Sequence, residues 1–318
     1  MHSKGELVSV VLSVYNGEAY IIEALTSVSK QTYSNLEIVV INDGSTDSTE
    51  SLIKAYQRKD SRVVLVSRPN QGLVASLNEG VSLARGEYIA RMDADDVCKP
   101  FRIDHQLQYL KEWNLDLVGG AVDIVRSGEV VSRSNFLEYN NDIKASILSW
   151  GQHFCHPTIL AKRNLFDRYQ YENYVGAEDF ALWIRLALDS DVKIGNYPEV
   201  VLEYRDHDAQ VTKEGGRDWH KELQLETMKG VLCGALKVSE AQVVEFHELI
   251  CSKNYWMPWW RRRILYSHLG LLFSLECLEL ETKKSLFSQI DKRLKKRRRP
   301  KNKAMVRKKI EKNWGQYA

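Results

Sequence analysis

Three carboxylates in four residues, Asp93-Ala94-Asp95-Asp96, follow the apolar run Tyr88-Ile89-Ala90-Arg91-Met92. If that run is an extended strand, Asp93 and Asp95 lie two residues apart and project to the same side. Carboxylate oxygens are hard ligands for Mg²⁺ or Mn²⁺, which such sites hold with one or two protein carboxylates plus substrate phosphates. The same acids also suit the approach to a helix ahead of Pro100, where capping and the helix dipole favour Asp. Asp43-Gly44-Ser45-Thr46-Asp47 has a similar double reading. It is either a tight turn and cap, or it places a carboxylate to accept hydrogen bonds from a base or ribose.

Such groups act together only if the chain holds them at one edge of a scaffold. Runs rich in Val and Ile at 7–14, 36–41, 63–66 and 88–92 predict strands, and the intervening segments 18–29, 47–59 and 73–84 carry helical spacing. Alternation of this kind predicts parallel βαβ units with right-handed crossovers, whose ligands bind outside the carboxyl ends of the strands. Four polar turns occupy those ends: Tyr15-Asn16-Gly17-Glu18, Asn42-Asp43-Gly44-Ser45-Thr46-Asp47, Arg68-Pro69-Asn70-Gln71-Gly72 and Asp93-Ala94-Asp95-Asp96.

Further along, the sequence predicts a helix at 100–112 with Pro in its first turn. A strand at 115–119 and a hairpin of 121–125 with 129–133 follow. A mixed region then runs from Phe154 to Thr212, with a helix opening at Glu178-Asp179 and strands at 192–196 and 200–204. After Gly215-Gly216 the pattern is helical only, at 219–236, 240–251, 258–280 and 283–299. The expected division is an α/β unit at 1–214 and a helical, basic region at 215–318.

The 318 residues are 44% hydrophobic and 27% charged, a balance that excludes a disordered or fibrous chain. The formal net charge of +3 conceals an asymmetry. Residues 253–318 carry 19 Lys and Arg against five Asp and Glu, a net of +14, which leaves −11 on residues 1–252. Within the basic part, Trp256, Trp259 and Trp260 adjoin Arg261-Arg262-Arg263, and a second basic run spans 292–299. Interfacial aromatics with that charge suit an anionic leaflet, at about 1 kcal/mol per basic residue near the surface. The other reading is a helical appendage whose Trp side chains pack inward while its lysines are solvated. No nucleic-acid partner is expected, because no recognisable binding fold accompanies the charge. Cys98, Cys155, Cys233, Cys251 and Cys277 are odd in number and lack C-x-x-C spacing, which argues against a disulfide framework or zinc site and for a reducing cytoplasm. The apolar run 7–14 enters Tyr15-Asn16-Gly17 without a cleavage pattern, so it reads as a strand. The run 264–273 is only about half of the roughly 20 residues that a membrane span needs.

Taken in order, Ser13-Val14-Tyr15-Asn16-Gly17, the Asn42–Asp47 turn, Asn70-x-Gly72 and the Gly86-Glu87-Tyr88-Ile89 strand ending in Asp93-Ala94-Asp95-Asp96 closely resemble the family 2 glycosyltransferases. The match is strong over about residues 6–125. It implies an α/β fold of the GT-A type, a Rossmann-like mixed sheet flanked by helices that binds a nucleotide-sugar. By position, Ser13, Tyr15 and Glu18 would line the nucleotide cleft, with Asn70 and Gly72 in the adjoining turn, and Asp43 would hydrogen-bond the base. Asp93 and Asp95 would form the DXD pair, Asp95 as the direct ligand of Mn²⁺ or Mg²⁺ and Asp93 turned toward ribose or metal-bound water. The family's Arg-Asn-x-Gly element appears here with Pro69 between Arg68 and Asn70, so no role carries over to Arg68.

Gly176-Ala177-Glu178-Asp179-Phe180-Ala181-Leu182-Trp183 resembles the family's E-D pair, which opens a helix beneath the acceptor cleft. The resemblance implies Asp179 as the general base for an acceptor hydroxyl, with Glu178 as its supporting neighbour or the alternative base. Read without it, both are ordinary first-turn helix acids. The segment from Tyr204 through Arg205 and His207 to Gln210 looks like the Y-R-x-H-x-x-Q motif of bacterial members, with His207 toward diphosphate or metal and Arg205 toward a phosphate. His156-Pro157-Thr158 sits where related sequences carry a motif near the acceptor side. The resemblance further implies an inverting single displacement from a UDP-sugar to a glycan or lipid-linked saccharide of a bacterial surface polysaccharide. With the cysteine pattern and the basic region, the expected location is the cytoplasm, peripheral on the inner face of the cytoplasmic membrane.

Two other classes share parts of this pattern. A nucleotidyltransferase acting on sugar phosphates also uses paired carboxylates, but it needs a Gly-rich basic loop after the first strand, where this chain has Tyr15-Asn16-Gly17-Glu18. A non-catalytic membrane-associated scaffold would keep the basic region and have no use for both acidic sites.

Overall fold

The first four apolar runs become β1 (Val8–Val14), β2 (Leu36–Asn42), β3 (Val63–Ser67) and β4 (Tyr88–Asp93) in a computed structural model. The structure describes residues 5–134, 136–151, 153–207, 210, 216–236, 238–251 and 278–296. These strands are parallel, in the order β3-β2-β1-β4, and are connected by α1 (Ile21–Ser29), α2 (Thr49–Gln57) and α3 (Leu73–Leu83). Every residue of β2 is buried, because helices cover both faces of the sheet; that is why the strand reads as a continuous apolar run.

The side chains of β1 divide between two cores. Val8, Val10, Leu12 and Val14 point toward α1, α2 and α4 (Arg102–Glu112), joining Leu25, Ile53 and Ile103. Val11 points the other way, toward Leu77 of α3 and Trp183 of α7 (Glu178–Leu188).

Beyond β4 the sheet becomes mixed. β8 (Leu160–Lys162) runs antiparallel to β4, and β6 (Leu117–Arg126) runs antiparallel to β8. β9 (Ile194–Arg205) is parallel to β6, and the two-residue β5 (Val97–Cys98) closes the order by pairing antiparallel with β9. β7 (Glu129–Arg133) forms a hairpin on β6 and is exposed throughout. Two reversals restore the direction of β4, so β1, β2, β4, β6 and β9 all deliver their carboxyl ends to one edge. This is the GT-A mixed sheet that the resemblance implies.

Several elements depart from expectation for identifiable reasons. The strands expected at 115–119 and 121–125 are one strand, β6. Those expected at 192–196 and 200–204 are also one strand, β9, which skips Pro198 and Glu199 where its register against β6 shifts. Proline has no N–H for the ladder, and the pattern breaks there without ending the strand. α5 (Asn140–Leu148) has no amphipathic signature because every residue from Ile143 to Leu148 is buried. β8 and α6 (Arg163–Arg168) are too short to show a period.

The C-terminal helices are α8 (Gly216–Leu236), α9 (Glu240–Cys251) and α10 (Leu280–Lys296). Met228, Val231 and Leu232 of α8, Val243 of α9 and Leu286 and Ile290 of α10 enter the same core as Ile143 and Trp183. α10 is also fastened to the start of α5, through Thr282 Oγ1 to Asn141 Oδ1 (2.8 Å) and Gln289 Nε2 to the Asp142 carbonyl (2.9 Å). The helix expected at 258–280 lies outside the described residues apart from its last three positions, and Trp256, Trp259, Trp260, Arg261–Arg263 and 297–299 lie wholly outside them. Among the described residues Cys98, Cys155 and Cys233 are free thiols, and no helix is long and apolar enough to cross a membrane.

Candidate active site

The turns after β1 and β2 are laced to each other through side chains. Asn16, at φ 52°, donates its N–H to Ser45 Oγ (2.9 Å) and accepts the Thr46 N–H at Oδ1 (2.8 Å). Gly17 N–H reaches Thr49 Oγ1 (2.8 Å), Glu18 N–H reaches Asp47 Oδ2 (3.1 Å), and Ser48 N–H reaches Glu18 Oε2 (2.9 Å). Glu18 and Asp47 thus satisfy backbone donors that would otherwise be orphaned at the start of α2. Tyr15 stands clear of this lacing and is 54% exposed. Ser13 lies beside Asp93 in the β1–β4 register.

Asp43 is buried and fully engaged. Its Oδ1 accepts the Gln71 N–H (2.8 Å), its Oδ2 accepts the Gly72 N–H (2.9 Å), and it pairs with the Arg68 guanidinium. Arg68 also binds Glu79 (2.5 Å) and Ser76 Oγ (2.9 Å), while Asn70 Nδ2 donates to the Asp43 carbonyl (2.9 Å). Arg68, to which the resemblance gives no role, is the counter-ion that fixes Asp43. At Gly44, φ is 76° and a Cβ would stand 2.6 Å from the Asn70 amide nitrogen, so only glycine lets the two turns approach.

The acidic turn after β4 is built differently. Asp93 and Asp95 do lie together, and Asp96 joins them: one carboxylate oxygen from each falls within 4.8 Å of the others. The buried Arg91 clamps Asp93 through two bonds of 2.6 Å. β5 pairs with β9, bringing the end of β9 over this turn. Arg205 N–H then binds Asp96 Oδ1 (2.9 Å), Arg205 Nε binds the Asp95 carbonyl (2.7 Å), and His207 Nε2 meets Asp95 Oδ2 (2.9 Å). The Arg205 guanidinium is held by Glu23 (2.7 Å) and lies 4.8 Å from the centre of the Tyr20 ring, which also stacks near His207 at 5.0 Å. Arg205 therefore ties β9 to the acidic turn and to α1.

Burial drives the Asp96 carboxyl well above the usual carboxylate range, and the neighbouring Asp93 and Asp95 add to the rise. Asp93 is also raised by burial, against the pull of Arg91. Asp96 Oδ2 is buried with no hydrogen-bond partner among the described residues. An unpaired buried carboxylate oxygen is costly, and a divalent cation would remove that cost. The donor set is all oxygen, as Mg²⁺ and Mn²⁺ require, so these residues fit such an ion.

Glu178 and Asp179 open α7. Glu178 is buried, accepts the Gly176 N–H (3.0 Å), and has its pKa pushed up to about 7 by burial and then by Asp179. Asp179 is half-buried and accepts the Phe180 N–H (2.6 Å). The pair lies close enough to the acidic turn for the charge of Asp179 to act on Asp93, and for Arg91 to act on Glu178. His156 is buried beside them, bonded through Nε2 to the Tyr171 hydroxyl (2.9 Å) and kept neutral by burial and by Arg91. Tyr171 is in turn clasped by Asn78 through both of its backbone groups (2.9 and 3.0 Å).

Sequence reasoning missed Arg91, Asp96 as a separate participant, Tyr20, Glu23 and Tyr171. Arg91 did leave a signal, since it is a charged residue inside an apolar strand and shares a face with Asp93. Tyr171 left none.

Residues 9–170 match the sequence profile described as Glycosyl transferase family 2. The chain belongs to that family. The O-antigen biosynthesis glycosyltransferase WbnJ of Escherichia coli is 29% identical over 212 residues, covering 65% of this chain and 83% of WbnJ. The structure of S. aureus TarS in complex with UDP-GlcNAc superimposes with a TM-score of 0.59 at 18% identity, covering 91% of this chain and 88% of that one. The mannosyltransferase PcManGT of Pyrobaculum calidifontis, in complex with GDP-Man and Mn²⁺, gives a TM-score of 0.54 at 19% identity, with 90% and 80% covered. The family 2 glycosyltransferase described here therefore has its acidic turn and its Glu178-Asp179 pair on a GT-A sheet.

Proposed function

We propose that this glycosyltransferase is a metal-dependent, inverting enzyme. It moves a hexosyl or N-acetylhexosaminyl group from a UDP-sugar to a hydroxyl of a glycan or lipid-linked saccharide in cell-surface polysaccharide assembly. The observation that carries the reading is the convergence of Asp93, Asp95 and Asp96 within 4.8 Å at the strand ends, with Asp179 near enough to act on Asp93.

Asp95 and Asp96 would hold Mn²⁺ or Mg²⁺, with His207 steadying Asp95 and the Arg205 N–H steadying Asp96. When bound, the ion neutralises charge that gathers on the diphosphate leaving group. Arg91 fixes the Asp93 carboxylate in one orientation, available to the ribose. Tyr15 offers an open ring to the base, and Ser13, Glu18, Asn70 and Gly72 shape the remainder of the nucleotide cleft. Asp179 takes the acceptor proton as the oxygen attacks the anomeric carbon, and one displacement inverts that centre. Glu178, protonated below about pH 7, supports Asp179 without competing for that proton. The turn after β1 presents Glu18 and faces Asp47 with no Lys or Arg, which disfavours a nucleotidyltransferase.

The UDP-GlcNAc complex of TarS supports a UDP-sugar donor, and the O-antigen role of WbnJ supports the acceptor class. The proposed division is a catalytic unit at 1–214 and a basic helical region at 215–318 that docks on the inner face of the cytoplasmic membrane. Because Ile290 is buried in the core, the test of docking removes only 297–318. Sedimentation with anionic vesicles should fall in the truncated protein while its melting temperature holds; unchanged sedimentation discards the docking.

The test of the activity is a thermal-shift titration with UDP, GDP, dTDP and CMP, each with and without Mn²⁺, on the native protein and on Asp95→Ala. Stabilisation by UDP only with Mn²⁺, lost in Asp95→Ala, is the expected result. Equal Mn²⁺-dependent stabilisation of both proteins removes Asp95 from the metal site.

A further inference from the structure

The catalytic groups occupy the carboxyl ends of the strands. The amino end of β9 opens on a different cleft of about 670 Å³, set between the C-terminal end of α4, the N-terminal end of α5, and α10. Ile194 lines this cleft and Arg205 stands at the catalytic edge of the same strand. At the rise of an extended strand the two are about 30 Å apart.

Two aromatic rings form a corner in the cleft. Trp113 and Tyr139 meet edge on, with centroids 6.3 Å apart and planes at 60°, yet they remain 51% and 56% exposed. The corner is braced from beneath by Tyr109, which packs on Trp113 at 5.8 Å and on Tyr197 at 5.5 Å. Large rings fixed in place with open faces mark a contact surface.

The polar groups around the corner fall into two sets. Asp142 is engaged by Ser285, and Glu281 is paired with Lys284 at 3.0 Å. The side chains of Glu138, Glu279 and Lys193 also line the cleft and make no hydrogen bond or ion pair among the described residues. Among the described residues the cleft thus offers open ring faces together with acceptors and a donor that make no hydrogen bond, although the charge of Glu279 also reaches the buried Lys144.

That combination suits a sugar. The electron-rich ring faces match the C–H faces of a pyranose, and hydroxyls both donate to carboxylates and accept from an ammonium. A diphosphate would meet two carboxylates against one lysine, whereas a cation would be drawn to the carboxylates but would leave the Lys193 ammonium opposed to it, and only a neutral polyhydroxyl ligand uses both kinds of group.

We propose that this cleft is a second, non-catalytic saccharide site, which holds an uncharged stretch of glycan about 30 Å from the point of transfer. It rests on the glycosyltransferase reading for the presence of a glycan. Its effect would be to keep the enzyme on its polymer, because a tethered chain presents its end at raised effective concentration.

The test is native electrophoresis of the full-length protein through gels containing dextran, galactomannan or hydroxyethylcellulose. The double variant Trp113→Ala/Tyr139→Ala and the single variant Tyr139→Ala run beside it. At least one polysaccharide should retard the native protein, and the double variant should lose that affinity ten-fold or more with its melting temperature and its UDP–Mn²⁺ response intact. The single variant should fall between the two. The proposal is overturned if none of the three retards the native protein, or if both variants are retarded as strongly as it is. It is also overturned if choline binds the cleft where no polysaccharide does, which would assign it to a cation. Retardation that depends on Trp113 and Tyr139 in a protein with no UDP–Mn²⁺ response would uphold the cleft and count against the catalytic reading.

Discussion

The two halves of the catalytic edge use acidic residues in opposite ways. On the nucleotide side, Glu18, Asp43 and Asp47 accept backbone N–H groups from neighbouring turns and are spent on holding those turns together. Desolvation is the largest single influence on Asp47 and raises its carboxyl, but its bonds from Thr49 and the Glu18 N–H together outweigh it, so it stays below the usual carboxylate range. Around the end of β4 and the start of α7, Asp93, Asp95, Asp96, Glu178 and Asp179 crowd together with a single protein partner each, Asp96 keeping one buried oxygen unbonded among the described residues, and the carboxyls of Asp93, Asp96 and Glu178 are raised. Acids that build a fold are paired until they are comfortable, whereas acids arranged for chemistry are left short of partners.

Substitution should break this contrast most sharply at Asp95. Asp95→Ala should cut sugar transfer by about 10³-fold, a loss typical of removing electrostatic stabilisation from a transition state. Urea unfolding without metal should be unchanged or slightly harder, because one member of a repelling cluster is gone. A full-strength enzyme would remove Asp95 from the chemistry.

Asp43 should show the converse. Truncating one partner of a buried, hydrogen-bonded ion pair costs about 3–5 kcal/mol. Asp43→Ala should therefore lower the urea midpoint strongly, since it strands Arg68 and the Gln71 and Gly72 N–H groups. Intact stability with weakened UDP binding would instead assign Asp43 to the base alone.

Glu178 tests the contrast through pH. Its carboxyl titrates near 7 in the folded chain and near 4.5 when unfolded, so the folded state holds a proton that the unfolded state releases between those values. Stability contributed by the protonated group is fully present below about pH 4.5 and is lost as pH rises through 7, by about 3 kcal/mol in all. Glu178→Gln keeps an oxygen for the Gly176 N–H and cannot ionise. The variant should match the native protein at pH 4 and exceed its unfolding free energy by about 3 kcal/mol at pH 8.5. Equal stability at both pH values would mean that Glu178 is solvated and ordinary.

The scaffold was legible from the chain because each strand end needs a turn, and turns here draw on Gly, Asn and Asp. The four polar turns named from the sequence follow β1, β2, β3 and β4 on the edge that the ends of β6 and β9 also reach. What could not be read was where each acid spends its oxygens. That depends on donors far along the chain: Asp43 is satisfied from 25 to 29 residues away and Asp95 meets a histidine 112 residues away. Local pattern also fails where burial is uniform, as in α5, because a helix covered on all sides has no apolar stripe to detect.

One residue on the nucleotide side escapes the structural group, and it gives the finest test of the comparison. Tyr15 sits in the same turn as Asn16, Gly17 and Glu18, all of which bond across to the turn after β2, but its ring is more than half exposed. A base stacked on an aromatic ring contributes about 1–3 kcal/mol. Tyr15→Ala should therefore weaken UDP binding about ten-fold by calorimetry, with the melting temperature of the unliganded protein unchanged. Thr49→Val in the neighbouring helix should do the reverse, since it removes the acceptor of the Gly17 N–H and leaves the base untouched. If Tyr15→Ala instead destabilised the protein and spared UDP binding, the whole nucleotide-side turn would be scaffold, and the base would have to be recognised elsewhere along the edge.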